Sequence, residues 1–273
     1  MSRPVIIMVA PNGARRTHKD HPALPVSIAE TAAEAANCFA AGATVLHAHV
    51  RGDEQQHLLD SGLYRELIAE TKRAAPQILI QITTEAVGVY NPQQQVDCVQ
   101  SVKPEMASVA LKEMTSNYTD LEFAGGFYHW AEEETVHIQH ILYSADDLGH
   151  FLRLKAKGII PDSQRCVLFV LGRYSVNFQS DPVDLSPFID SDLSALDWFV
   201  CAFGAREQDC VLSAIEHGGH ARIGFENNLY LANGELAQST SELVSALLEK
   251  MENYQTVAAS VEQTRQLLGL KKL

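Results

Sequence analysis

The chain has 273 residues, 46% hydrophobic and 20% charged, ample for a sizeable core and for one large α/β domain. A net charge of −13 argues against a general nucleic-acid or anionic-membrane surface, while leaving room for an anionic small molecule in a local basic pocket. No apolar run approaches membrane-spanning length and "MSRPVIIMVAPNG" lacks the apolar length of a secretion signal, so a soluble cytoplasmic protein is expected.

Short β-branched runs alternate with longer helical patterns along the chain. Strands are expected at 5–10, 44–50, 78–83, 106–111, 136–143, 166–172, 197–204 and 221–226. Helical patterns fill 26–41, 61–75, 92–101, 145–157, 182–195 and 207–217. Residues 113–135 form the one long excursion, in which "FAGGFYHWAEEE" predicts an added helix above the barrel. Several strands are apolar on both faces, as parallel strands covered on both sides must be. Eight such βα units favour a (β/α)8 TIM barrel with C-terminal helices over an open doubly wound sheet. The whole of 1–273 reads as one catalytic domain with a helical extension over about 239–273, where 239–251 and 254–268 have amphipathic spacing. In the first of these, Val244, Leu247, Leu248 and Met251 make an apolar stripe suited to packing or subunit contact. The five cysteines (Cys38, Cys98, Cys166, Cys201, Cys210) are scattered and lack CxxC spacing, so they read as small buried hydrophobes in a reducing compartment. No GxGxxG or GxxxxGK[ST] phosphate loop is present.

In a barrel the strand C-termini carry the chemistry. The first strand runs into "PNGARR", with Asn12, Arg15 and Arg16. The second ends "HAHVR": His47 and His49 point one way while Ala48 points the other. Two imidazoles on one side of a core-bound strand are either a solvated or singly hydrogen-bonded pair, or two ligands of a divalent metal. The third strand ends "QITTEA", with Gln81, Thr83 and Glu85 on one face; the fourth carries Ser108 and the sixth ends at Arg173. The eighth reads "HARIGFENN", with Arg222, Gly224 and Glu226 on one face. Strand eight pairs with strand one, and one with two, so Glu226 can reach the two histidines. Two histidines and a carboxylate with a position left open are a catalytic zinc shell. Arg222 with Glu226 also reads simply as a buried ion pair, Thr83 and Ser108 as ordinary strand hydroxyls, and Arg15 with Arg16 as solvated loop charges. Gly218 and Gly219 read as a helix cap and turn. His18 and His21 lie in a proline-containing loop and His57, His217 and His220 away from the active face, so all five are read as non-ligands.

"PNGARRTHKDHPALP", "HAHVR", "KPEMASVAL" and "GGHARIGFENNLYL" together resemble the β-keto acid cleavage enzymes, the family of 3-keto-5-aminohexanoate cleavage enzyme, over nearly the whole chain and in the right order. The resemblance implies a Zn2+-dependent TIM barrel, a homotetramer in many members, that takes a β-keto acid and acetyl-CoA to acetoacetate and a new acyl-CoA. It implies His47, His49 and Glu226 as zinc ligands, Thr83 and Ser108 as hydroxyls holding the substrate carboxylate, and Arg222 as the active-site arginine. The chain departs from the family pattern at three places. Asn227 stands where members commonly have the aspartate favoured as the base, and an amide cannot take a proton. "TTEA" replaces "TTGG", placing Glu85 where glycine is usual. Arg15 occupies the place of a glutamate that faces the substrate amine in the aminohexanoate enzyme. Two proton acceptors therefore stand open, Glu85 and a metal-bound hydroxide. Asn227 also leaves open a zinc-dependent lyase or hydrolase without CoA chemistry, or a silent metal-binding homologue. A guanidinium at position 15 favours a substrate with an anionic or neutral polar tail.

Overall fold

A computed structural model describes residues 2–115 and 121–271. Eight parallel strands close into a barrel: β1 (Ile7–Val9), β2 (Val45–Ala48), β3 (Leu79–Thr83), β4 (Met106–Ala110), β5 (His137–Leu142), β6 (Cys166–Leu171), β7 (Asp197–Ala202) and β8 (His220–Ile223). The ring closes through β8, whose Arg222 lies opposite Met8 of β1, while Val9 of β1 lies opposite Leu46 of β2. This is the expected TIM barrel. Alternate residues split two cores. Ile6, Met8, Val45, Leu79, Met106, Leu168 and Phe199 fill the lower barrel interior, and the outward-facing residues pack under the helices. Among the described residues no helix is long and apolar enough to cross a membrane.

Several expectations are corrected. The predicted strand 5–10 is two short strands: Arg3–Val5 pairs with Thr256–Ala258 beneath the barrel, and only Ile7–Val9 enters the ring. The interruption falls at Ile6, whose N–H donates to Nδ1 of His220. The predicted helix 254–268 accordingly begins with that strand, where β-branched Thr256 and Val257 suit extended chain. The helix proper is Val261–Leu268, started by a Ser260–Gln263 capping box. Over 182–195 there is one 3₁₀ turn, Pro182–Leu185, and one short helix, Ser186–Ile189, because prolines at 182 and 187 and the Asp- and Ser-rich "DSD" favour turns over a continued helix. The helix in the 113–135 excursion, Leu121–Glu133, packs in the outer ring against β5, with the Tyr128 ring 4.9 Å from that of His140, and not above the barrel. Residues 116–120 of that excursion lie outside the described residues.

The helices that follow the strands start where their sequences say they must. Ser27 with Glu30 and Asn91 with Gln94 form capping boxes, and Asp60 and Ser144 cap the helices at Ser61–Ala74 and Ala145–Ala156. Each exchange of an orphan N–H for a side-chain oxygen is worth about 1 kcal/mol. The result is a fixed ring whose C-terminal rim is assembled from loops.

Candidate metal centre and its cavity

Glu226 does not lie on β8, as strict alternation from Arg222 suggests. The strand ends at Ile223, and Gly224 (φ +143°) turns the chain inward where a Cβ would sit 2.4 Å from the carbonyl oxygen of Ala10. The backbone N–H of Glu226 then donates to that same carbonyl at 3.0 Å. A seam between the first and last strands is thus what brings Glu226 to the two histidines. Its Oε2 lies 3.4 Å from Nε2 of His47 and 3.6 Å from Nε2 of His49.

Among the described residues these three side chains form the one group able to hold a metal ion, with donor atoms all within 4.8 Å of one another. Two of those atoms, Nε2 of His49 and Oε2 of Glu226, are buried and have no hydrogen-bond partner. Burial, and next the Arg222 guanidinium, lower His47 to about 3, and burial lowers His49 to about 4, so both rings are neutral near pH 7. Burial pushes the Glu226 carboxyl up, but Arg222 and the histidines outweigh it and hold it well below the usual carboxylate range. Two imidazole lone pairs facing a carboxylate lone pair in a desolvated pocket repel one another unless a cation lies between them. The donor set fits a divalent metal.

The orientation of His47 is fixed by side chains deeper in the barrel. Its Nδ1 lies 2.7 Å from Oε1 of Gln81, and the Gln81 amide donates to Oε1 of Gln139 at 3.2 Å. With its nitrogen engaged there, Gln81 offers His47 only an acceptor, which puts the proton on Nδ1 and leaves Nε2 bare. Gln81 was visible in sequence as a polar residue on the site face. Its service to His47 was not.

A cavity above the donor set is lined by four arginines (Arg15, Arg16, Arg173, Arg222), by Glu85 and Glu226, and by Thr83, Tyr143, Ile141, Val170 and Phe203. Arg222 is committed to Glu226, 3.0 Å away, with Asn227 Oδ1 at 3.5 Å. Arg16 donates to the carbonyls of Phe225 (2.6 Å) and Asn227 (3.3 Å), bracing the loop that carries Glu226. Arg51 in turn donates to the carbonyls of Ala14, Arg16 and Gln55. Arg15 is exposed at the mouth, and Arg173 stands 3.9 Å from Glu85 with its guanidinium 5.5 Å from the Phe203 ring centre. Burial, and next the Glu226 carboxylate, push Glu85 up to about 7 against the pull of Arg173 and Arg15.

Thr83 faces the cavity. Its hydroxyl oxygen accepts from the Glu85 N–H at 3.1 Å and from the Ser108 hydroxyl at 3.5 Å. Ser108 is fully buried beside Thr83 and is not among the residues lining the cavity. Asn227 is fully buried behind Arg222, its Nδ2 without a partner. His18, His21, His217 and His220 lie elsewhere, as expected: His21 bonds to the Ala237 carbonyl and His217 to the Ser213 carbonyl. His57 is a correction. Antiparallel pairing of Val50–Arg51 with His57–Leu58 folds it back, so that its Nδ1 lies 3.3 Å from Nδ1 of His49. Glu207 was also missed. It is buried beneath the rim, where its carboxylate accepts from the Gly224 N–H (3.2 Å) and the Asn228 amide (3.3 Å), and burial pushes it up to about 8.

Comparison with known proteins gives a consistent answer. The chain is 29% identical over 280 residues to a 3-keto-5-aminohexanoate cleavage enzyme of Fusobacterium nucleatum, covering 100% of both chains. It is 28% identical over 283 residues to a 3-oxoadipate:acetyl-CoA acetyltransferase of Cupriavidus necator, covering 100% of this chain and 97% of that one. The solved binary complex of ObcA with oxaloacetate shares the fold, with a TM-score of 0.73 at 15% identity, over 92% of this chain and 68% of that one. The beta-keto acid cleavage enzyme family matches residues 4–270, and on that match, across almost the entire barrel, the chain belongs to this family.

Proposed function

We propose that the protein is a metal-dependent acyltransferase that converts a β-keto acid and acetyl-CoA into acetoacetate and a new acyl-CoA. The observation that carries this reading is the buried donor set of His47, His49 and Glu226 at the floor of an arginine-rich cavity, in a chain of this family. The names of its relatives, an acetyl-CoA acetyltransferase among them, support the transfer chemistry. Zn2+ suits two imidazoles and a carboxylate, and when bound it supplies Lewis acidity toward a keto oxygen.

The chain's own residues do the rest. Both lone pairs of the Thr83 hydroxyl are engaged, so its proton is free to donate to the substrate carboxylate. Ser108 holds Thr83 in that orientation. Arg222, fixed against Glu226, adds positive charge beside the developing enolate. Glu85 accepts a proton from the carbon between carboxylate and ketone, a role Asn227 cannot fill. That carbon attacks the acetyl thioester, the C–S bond breaks, and CoA thiolate leaves. The thiolate then adds to the original ketone. The C–C bond breaks, giving the new acyl-CoA and the acetoacetate carbanion, which recovers its proton from Glu85.

The rim selects the substrate's far end. Arg15 and Arg173 line the cavity together with Arg16 and Arg222, so an anionic tail is favoured over an ammonium. A homo-oligomer in the cytoplasm belongs to the same reading, and the five free, buried cysteines suit a reducing compartment.

The test is incubation with acetyl-CoA and a panel of β-keto acids, scored by acetoacetate release. Label in the acetyl group must appear in acetoacetate and not in the new acyl-CoA. Consumption of keto acid without acetyl-CoA would instead mark a lyase or hydrolase, and silence with intact metal a non-catalytic homologue.

A further inference from the structure

His57 sits on the short hairpin that rises from the end of β2, buried against His49. Its Nε2 lies 3.0 Å from the backbone carbonyl oxygen of Glu85. A carbonyl only accepts, so this nitrogen carries a proton. A neutral imidazole has a single N–H, and here the Glu85 carbonyl takes it. Its Nδ1 is therefore a bare lone pair. The 3.3 Å contact between the two Nδ1 atoms is then a hydrogen bond in one direction only, from His49 to His57. With the His49 proton spent there, its Nε2 is the lone pair that points, unpartnered, at Oε2 of Glu226.

We propose that His57 is a positioning residue which, anchored on the Glu85 carbonyl, holds His49 in the Nδ1–H form and so presents Nε2 to a divalent cation. The proposal rests on the reading of His47, His49 and Glu226 as a cation site. The two histidines of that site are thus aimed by different devices: His47 by a glutamine inside the barrel, His49 by a third imidazole on a hairpin outside it. A residue that orients a ligand in this way is worth about 10–100-fold in metal affinity.

Two measurements on the full chain test it. The first is a long-range nitrogen–proton NMR correlation on metal-free wild-type protein at neutral pH, which reads directly which nitrogen of His49 carries the proton. The second is Zn2+ affinity, by competition with a chromophoric chelator, for the wild type, His57→Leu and His57→Gln, with circular dichroism as the control for folding. Expected are an Nδ1–H His49 in the wild type, an affinity about 10–100-fold lower in His57→Leu, and recovery in His57→Gln. The glutamine amide can accept from His49 and donate to the Glu85 carbonyl. An Nε2–H His49 in the wild type, or undiminished Zn2+ affinity in a folded His57→Leu, overturns the proposal. Failure of the wild type to take up Zn2+ while His49 is Nδ1–H would instead overturn the cation-site reading, and the NMR result separates the two.

Discussion

Replacing Gly13 by alanine touches no charge, no donor atom and no hydrogen bond, yet it should impair the metal centre. A Cβ at position 13 would stand 2.5 Å from Cγ of Glu226, 3.1 Å from its Cβ and 3.3 Å from its Cα. Ordinary contact begins near 3.4 Å, so Cγ must retreat by about 0.9 Å, and the backbone bond from the Glu226 N–H to the Ala10 carbonyl holds the base of that side chain in place. The φ of Gly13 is not positive, so the substitution adds crowding without backbone strain. Metal–ligand distances tolerate only about 0.2 Å, and a displacement of about 1 Å near a reacting centre can cost about 10²-fold. We therefore expect Gly13→Ala to fold, with a crowding cost of about 1–3 kcal/mol, while Zn2+ affinity and kcat/KM each fall by about 10²-fold. Chelator competition and thermal unfolding separate the two effects. Wild-type Zn2+ affinity in this variant would show that Glu226 need not be where the structure puts it, and would refute its role as a ligand.

Further consequences follow from the same geometry. His49→Ala and Glu226→Gln should both lose most bound metal and nearly all turnover while the barrel persists. Only Glu226→Gln also strips the buried Arg222 of its anion, at about 3 kcal/mol, so it should melt lower; full metal occupancy in both would sink the ligand assignment. Glu85→Gln should keep its metal, lose turnover by about 10²-fold or more, and abolish solvent exchange of the substrate's methylene proton; exchange at the wild-type rate would exclude Glu85 as the acceptor. Wild-type enzyme should prefer a β-keto acid with a terminal carboxylate to 5-amino-3-oxohexanoate, and Arg15→Glu should narrow or invert that ranking. An unchanged ranking would place Arg15 outside substrate selection.

The barrel and its central donors were legible because both rest on strand periodicity. Alternating residues put His47 and His49 on one face, and eight βα repeats dictated a closed ring in which strands one, two and eight are neighbours. What lay hidden was set by the loops. Strand alternation from Arg222 reached Glu226 for the wrong reason, since the inward turn at Gly224 and not an extended strand delivers it. His57 looked remote because it lies eight positions beyond His49 in sequence, and only the hairpin closing over 52–56 returns it. Glu207 and Arg16 serve the Glu226 loop by bonding to its backbone, and backbone partners leave no pattern in side-chain identity. The strand at Thr256–Ala258 was read as helix because its partner, Arg3–Val5, lies at the far end of the chain.

The seam between the last barrel strand and the first has a consequence for how the protein matures. It is stitched by three paired residues, Ala221 with Ile7, Arg222 with Met8 and Ile223 with Val9, and the three donors lie on both sides of it. No fragment ending before Glu226 contains the complete set, so a ribosome must release nearly the whole ring before an ion can be captured. An ion so captured would act as a clasp across the seam. Binding only the closed form, it would add about 4 kcal/mol at a thousandfold excess over its dissociation constant, and chelation would remove that from a join held by three paired residues. The metal-free barrel would stay closed, but it would open more readily at the join of β8 and β1.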